Sequence, residues 1–201
     1  MVAGILMTQY EATALGTFDG RYTMRHSRIY DHEIDHVWAA ITTSHDFDVW
    51  FMPISIVEPT LGAACSFSFG GPQREAAHGS VNEMTPPTLI NYQCEFFAHR
   101  FELAEVEGGT QCHFLQVYSP DFRHLILDAE PTPDGFDLPA GIDVAWRPGM
   151  VAGYHVSMDN LSRFLDSSWR PNLIVQDNPL QAWAELVEVY RAHIRDNCPQ
   201  A

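Results

Sequence analysis

Positive charge is scarce in this chain of 201 residues: 11 basic side chains stand against 26 acidic ones, a formal net charge of −15 with histidine neutral. No Lys/Arg cluster appears anywhere. This argues against nucleic-acid binding, because gripping phosphates takes clustered cations that displace counterions. The same shortage disfavours anionic membrane surfaces. No apolar run is long enough to span a bilayer. The opening stretch MVAGILMTQYEATALG has no positive n-region and is interrupted by Gln9 and Glu11, so it does not read as a signal peptide. Cysteine is sparse as well. Cys65, Cys94, Cys112 and Cys198 are widely spaced with no CxxC, and three of them lie in apolar runs. They read as reduced core thiols of a cytoplasmic protein. There is no Gly-rich phosphate loop, G-x-S-x-G elbow or Walker motif, and no internal repeat.

What remains is the composition of a globular protein, 46% hydrophobic and 12% aromatic. The length suits one domain with a core that needs neither disulfide nor metal to close it. Residues 1–20 read as a loosely structured arm ending at the Asp19-Gly20 turn signal. Arg21–Tyr30 alternates like a strand, with Tyr22, Met24 and His26 on one side. Asp31 offers an N-cap, and Ile34, Val37, Trp38 and Ile41 then share one helical face. A second short helix over Ser44–Phe51 presents Phe47, Trp50 and Phe51 before Pro53. Strands are predicted over Ile54–Leu61, Ala64–Phe69, Ala76–Met84, Thr88–Phe96, Arg100–Glu107 and Thr110–Tyr118, with a hairpin at Gly108-Gly109. Short turns between them imply an antiparallel meander. Ser119–Gly149, rich in proline and aspartate, reads as a long surface excursion. Val151, Tyr154, Met158, Leu161 and Leu165 form the stripe of a long helix. Leu180, Trp183, Val187, Tyr190 and Ile194 form that of a final one.

This order is that of the α+β helix-grip fold, in which a curved antiparallel sheet wraps a long C-terminal helix. The segments HEIDHVWAAIT, DVWFMP, PTLGAACSFSF, GSVNEMTPPTLINYQCEF, FELAEVEGGTQCHFL and AGYHVSMDNLSRFLD carry a resemblance to a known family. Together they resemble the START-like (SRPBCC) superfamily, on its bacterial branch related to the activator of heat-shock-protein ATPase. The resemblance covers Arg21 to Asp166 and extends to the final helix. It implies a START-like domain over 21–166 with the 119–149 excursion as an insertion, flanked by the arm 1–20 and an extension 167–201. Tyr154 stands where the family commonly has Trp, and the excursion is longer than the family's pattern. The architecture hosts many unrelated functions, so the resemblance implies a fold and a pocket rather than a reaction.

His32-Glu33-Ile34-Asp35-His36 spells H-E-x-x-H, the zincin motif. Its context is wrong for zinc. It opens a short helix whose apolar stripe lies on other residues, and no third ligand follows at a recognisable spacing. It reads as a solvated helix start whose acids suit the N-terminal dipole, and no metal or cofactor is implied. A cavity between sheet and helix would be lined by Trp50, Phe67, Phe69, Tyr92, Cys94, Phe96, Phe114 and Gln116, with Tyr154, His155 and Met158 from the long helix. An apolar space with a few placed polar groups is how small-molecule sites are built. The same aromatic stripe also reads as plain core, and the residues alone leave both readings open. His155, next to the excursion, has the side chain suited to acid–base work near neutral pH, or is a surface histidine.

Three functions follow as expectations. The first is binding of a small apolar or aromatic molecule. The second is a cavity enzyme of the polyketide cyclase/dehydratase or hydrolase type. The third is co-chaperone-like stimulation of a chaperone ATPase. The apolar stripe of the final helix packs on its own domain or on a second copy of the chain. Charge concentrated outside the strands favours a neutral or cationic ligand over an acidic one.

Overall fold

A computed structural model describes residues 13–18, 21–52, 54–56, 58–68, 76–119, 148–166 and 184–192. Among the described residues eight strands form one sheet: β1 (Thr13–Phe18), β2 (Arg21–Tyr30), β3 (Ile54–Ile56), β4 (Ala64–Phe67), β5 (Ala77–Thr85), β6 (Leu89–Cys94), β7 (Phe97–Val106) and β8 (Gly109–Tyr118). Their spatial order is β1-β2-β8-β7-β6-β5-β4-β3, and every neighbouring pair is antiparallel. Helices α1 (Ile34–Thr42) and α2 (Ser44–Trp50) follow β2, and α3 (Pro148–Leu165) follows the sheet. Residues 184–192 are helical and are termed α4. This is the predicted helix-grip architecture, with α3 gripped by the inner face of the sheet. Among the described residues no helix is long and apolar enough to cross a membrane.

The arm contains a strand. Thr13–Phe18 pairs with Arg21–Tyr30 across Asp19-Gly20, the dipeptide that favours a tight hairpin. Its own mixture of small and polar residues shows no alternation, so only the turn announced it. Asp31 does not cap α1. Glu33 takes that position without a side-chain hydrogen bond, because the Thr110 hydroxyl donates to the His32 carbonyl at 2.8 Å and ties it to β8. Strand β7 begins three residues earlier than the sequence suggested, and β6 ends at Cys94. The chain reverses at Glu95-Phe96, so Phe96 sits in a turn, half-buried. Helix α3 starts at Pro148, ahead of Val151, where proline's missing N–H costs nothing. The remainder of the 119–149 excursion, Phe69, Cys198, and Leu180, Trp183 and Ile194 of the final stripe lie outside the described residues. In α4, Leu186, Val187 and Tyr190 are buried in the domain's own core.

The β7–β8 hairpin depends on Gly109. Its φ is +131°, and a Cβ there would lie 2.0 Å from the Tyr30 carbonyl oxygen. Gly108 has φ +90° but open space around it. Gly109→Ala is expected to cost about 1–3 kcal/mol or more, and Gly108→Ala only the strain part. Denaturant titration of the two variants checks the order.

Candidate functional site

Pairing register places inward-facing side chains in transverse rows. One row is Met24, Gln116, His99, Tyr92 and Val81, running from β2 through β8, β7 and β6 to β5. The next is His26, Phe114, Phe101, Ile90 and Met84. Above these rows lie Phe47 and Trp50 of α2, Phe51 directly after it, and Tyr154 and Met158 of α3, all buried. The rings meet mostly edge to face: Phe47 and Tyr92 at 5.7 Å, Phe51 and Phe114 at 5.6 Å, Phe67 and His99 at 4.9 Å between centroids. Such arrangements match the aromatic quadrupoles.

Inside this aromatic shell runs a strip of buried polar groups. His26, His99 and His155 are each 0% exposed and Gln116 is 1% exposed. His99 Nε2 lies 3.3 Å from the Tyr154 hydroxyl, and Gln116 faces His99 directly across the β7–β8 ladder. Burial pushes His99 down to about 3, with Gln116 partly opposing the shift. Burial also lowers His26, helped by the nearby His155 and Arg28. Both imidazoles are therefore neutral at physiological pH. Burial raises the Tyr154 phenol. The Tyr92 hydroxyl is committed to the Ile41 carbonyl at 2.8 Å. Among the described residues, His99 and Gln116 interact with each other, while both amide atoms of Asn160 have no hydrogen-bond partner. Buried polar atoms are normally paired, so each of these marks unspent capacity.

A second network ties α3 to β2 and α4. Arg28 donates to Asp159 at 3.1 Å, Asp159 lies 3.4 Å from His155 Nε2, and His155 Nδ1 lies 2.6 Å from the Tyr190 hydroxyl. Desolvation acts to raise the Asp159 carboxyl, but His155 and Arg28 outweigh it and hold the carboxyl below its usual range. The Tyr30 hydroxyl donates to the Met158 carbonyl at 3.1 Å.

The structure brings most of the expected residues together. Trp50, Phe67, Tyr92, Cys94, Phe114, Gln116, Tyr154, His155 and Met158 are all buried, and the rings of Phe67 and Tyr92 and of Phe114 and Tyr154 pack on one another. His155 is no surface residue. His78 of β5 is exposed. Sequence reasoning passed over His26, His99, Asn160 and Arg28. His26 stands one alternation from Met24, and His99 alternates with Phe97 and Phe101 once the strand begins at Phe97. Cys65, Cys94 and Cys112 are free, buried thiols. Cys65 and Cys94 flank Gly79 in one row, and the Cys94 Sγ fills the side-chain gap it leaves. His32 precedes α1, meets Asp166 at 3.0 Å and packs edge-on against His36 at 5.0 Å between ring centroids. Among the described residues no group of three or more His, Cys, Asp or Glu is placed to hold a metal.

Solved structures share this architecture. A conserved protein of unknown function from Enterococcus faecalis superposes with a TM-score of 0.68 at 12% identity, covering 96% of each chain. CalU16 from Micromonospora echinospora superposes with a TM-score of 0.55 at 18% identity, over 91% of this chain and 97% of its own. A protein from Nitrosomonas europaea gives 0.53 at 15% identity, over 75% and 98%. At such identities the likeness is one of fold. No curated protein matches. The family model described as Activator of Hsp90 ATPase homolog 1-like protein matches residues 31–166, from the end of β2 through α3. The chain therefore belongs to the family of Activator of Hsp90 ATPase homolog 1-like proteins, within the SRPBCC superfamily.

Proposed function

We propose that the chain binds a small apolar or aromatic molecule between the inner face of the sheet and α3. The supporting observation is a buried polar strip inside an aromatic shell: His99 and Gln116 face each other across the β7–β8 ladder and interact with one another, and the buried Asn160 amide of α3 has no hydrogen-bond partner among the described residues. An aromatic surround with a few oriented polar atoms is the usual build of a small-molecule site. The rings already touch, so a ligand enters by parting α2 and α3 from the sheet. Three buried free thiols fit a reducing compartment, the cytoplasm.

A cavity enzyme is the second reading, favoured by the approach of His99 to Tyr154. A general base works best with a pKa near the operating pH. His99, at about 3, is far too weakly basic for that. The pair is suited to orient a ligand rather than move its proton, which ranks binding first.

The test compares naphthalene with 1-naphthol by tryptophan fluorescence. Both are expected to bind saturably. The hydroxyl of 1-naphthol should add up to about tenfold in affinity through a hydrogen bond to the strip. That increment should vanish in Gln116→Leu. Absence of saturable binding by either compound would overturn the proposal.

A further inference from the structure

The outer face of the sheet carries a group of side chains that ligand binding in the interior does not explain. Met24 and His26 of β2 are buried on the inner face, so alternation turns Arg25, Ser27 and Ile29 outward. Register sets Leu115 of β8 opposite Arg25, and His113 opposite Ser27. On the far side of β8, Glu102 of β7 is opposite His113. One transverse row therefore reads Ser27, His113, Glu102. The Ser27 hydroxyl lies 2.7 Å from His113 Nδ1. Both side chains are half-buried, so solvent reaches them.

A serine within hydrogen-bond reach of an imidazole, with a carboxylate beyond it, is the build of an activated nucleophile. Burial and Arg25 hold the His113 imidazole below its usual range, and Glu102 opposes them. The ring is thus neutral at pH 7 and free to take a proton, and Glu102 favours the imidazolium that results. With the resting proton on Nε2, Nδ1 accepts from Ser27. The two neighbours of Ser27 along the outer face complete the group. Arg25 is exposed and has no hydrogen-bond or ion-pair partner among the described residues. Ile29 is 60% exposed, one of two large apolar side chains so exposed among the described residues. Each stands roughly 7 Å along the strand from Ser27, on either side of it.

We propose that Ser27, His113 and Arg25 form an acyl-transfer site, which hydrolyses carboxylic esters with a short apolar acyl chain. Ser27 Oγ attacks the carbonyl carbon as its proton passes to His113 Nδ1. Arg25 donates to the oxyanion that forms. The bond to the alcohol oxygen breaks, and that oxygen takes the proton from His113. Water then attacks the acyl-serine by the same route, releasing the acid and restoring the hydroxyl. The acyl chain rests on Ile29. The site is separate from the interior one and does not depend on it.

The experiment follows nitrophenolate release from p-nitrophenyl acetate and p-nitrophenyl butyrate at neutral pH by the full chain, with peptide mass mapping of the acylated residue. The chain contains no lysine, so acylation of amines is limited to the amino terminus. Turnover above the buffer rate is expected, with the acyl group on Ser27. Ser27→Ala and His113→Gln should each lower the rate about a hundredfold, and Arg25→Gln about tenfold. Butyrate should be preferred to acetate by about fivefold, a preference lost in Ile29→Ala. Thermal unfolding of the variants separates a lost site from a lost fold. Turnover no faster than buffer would overturn the proposal. So would an unchanged rate in Ser27→Ala, or an acyl group on any residue other than Ser27.

Discussion

Acidification from pH 7 to pH 5 is expected to destabilise the protein well before its carboxylates titrate. The agents are His99 and His26, buried and neutral. An unfolded histidine titrates near 6.5, whereas folded His99 titrates at about 3. Between those values the unfolded chain binds the extra proton, so stability falls as pH falls. Each such histidine contributes a slope of about 1.4 kcal/mol per pH unit within the window. Half-exposed His113 shifts in the same direction, through burial and Arg25, with less weight. Asp159 acts in a separate, lower window. Its depressed carboxyl stabilises the fold above the unfolded value near 3.9 and is lost only below it. Against a typical stability of about 5–15 kcal/mol, the histidine loss is large. Urea unfolding at pH 7 and pH 5 measures it. In His99→Phe the slope over this interval should fall by roughly half, because one of the two dominant protons is removed. A stability that stays flat from pH 7 to pH 5 in the parent would show that these histidines do not stay neutral inside the fold.

The second large effect is expected at Phe114. Its ring touches Phe51 at the end of α2, Phe101 and His99 of β7, Tyr154 of α3 and His26 of β2. It is 0% exposed. It therefore joins the sheet to both layers that cover it. Phe114→Ala removes the transfer free energy of the ring and leaves a cavity that five neighbours cannot all collapse into. The expected cost is about 3–5 kcal/mol, or roughly 6–20 °C in Tm for a chain of this size. Ile29→Ala, at a position 60% exposed, should change stability by less than about 0.5 kcal/mol. Equal effects at the two positions in thermal unfolding would contradict the packing described.

Much of this architecture was legible in local pattern. Alternation located β2 to its ends, Gly108-Gly109 located the β7–β8 hairpin, and helical spacing located α1, α2 and α3. The aromatic shell was legible for the same reason, since burial follows periodicity. The polar strip was legible only in part. Gln116 and His155 stood out as isolated polar residues on apolar faces. His99 was lost because β7 was begun at Arg100, which hid its alternation with Phe97 and Phe101. Contacts between distant residues could not be read at all. Nothing in a one-dimensional pattern joins Arg28 to Asp159, or His155 to Tyr190, because those pairings depend on how α3 and α4 settle on the sheet.

The central claim is that the space between the inner face and α3 holds a small, mainly apolar molecule. Native mass spectrometry of freshly purified protein tests it most directly. The expected result is a species heavier than the chain by one small molecule, which reverts to the bare chain mass on denaturation. A bare chain mass under native conditions, together with no saturable uptake of naphthalene or 1-naphthol, would contradict it.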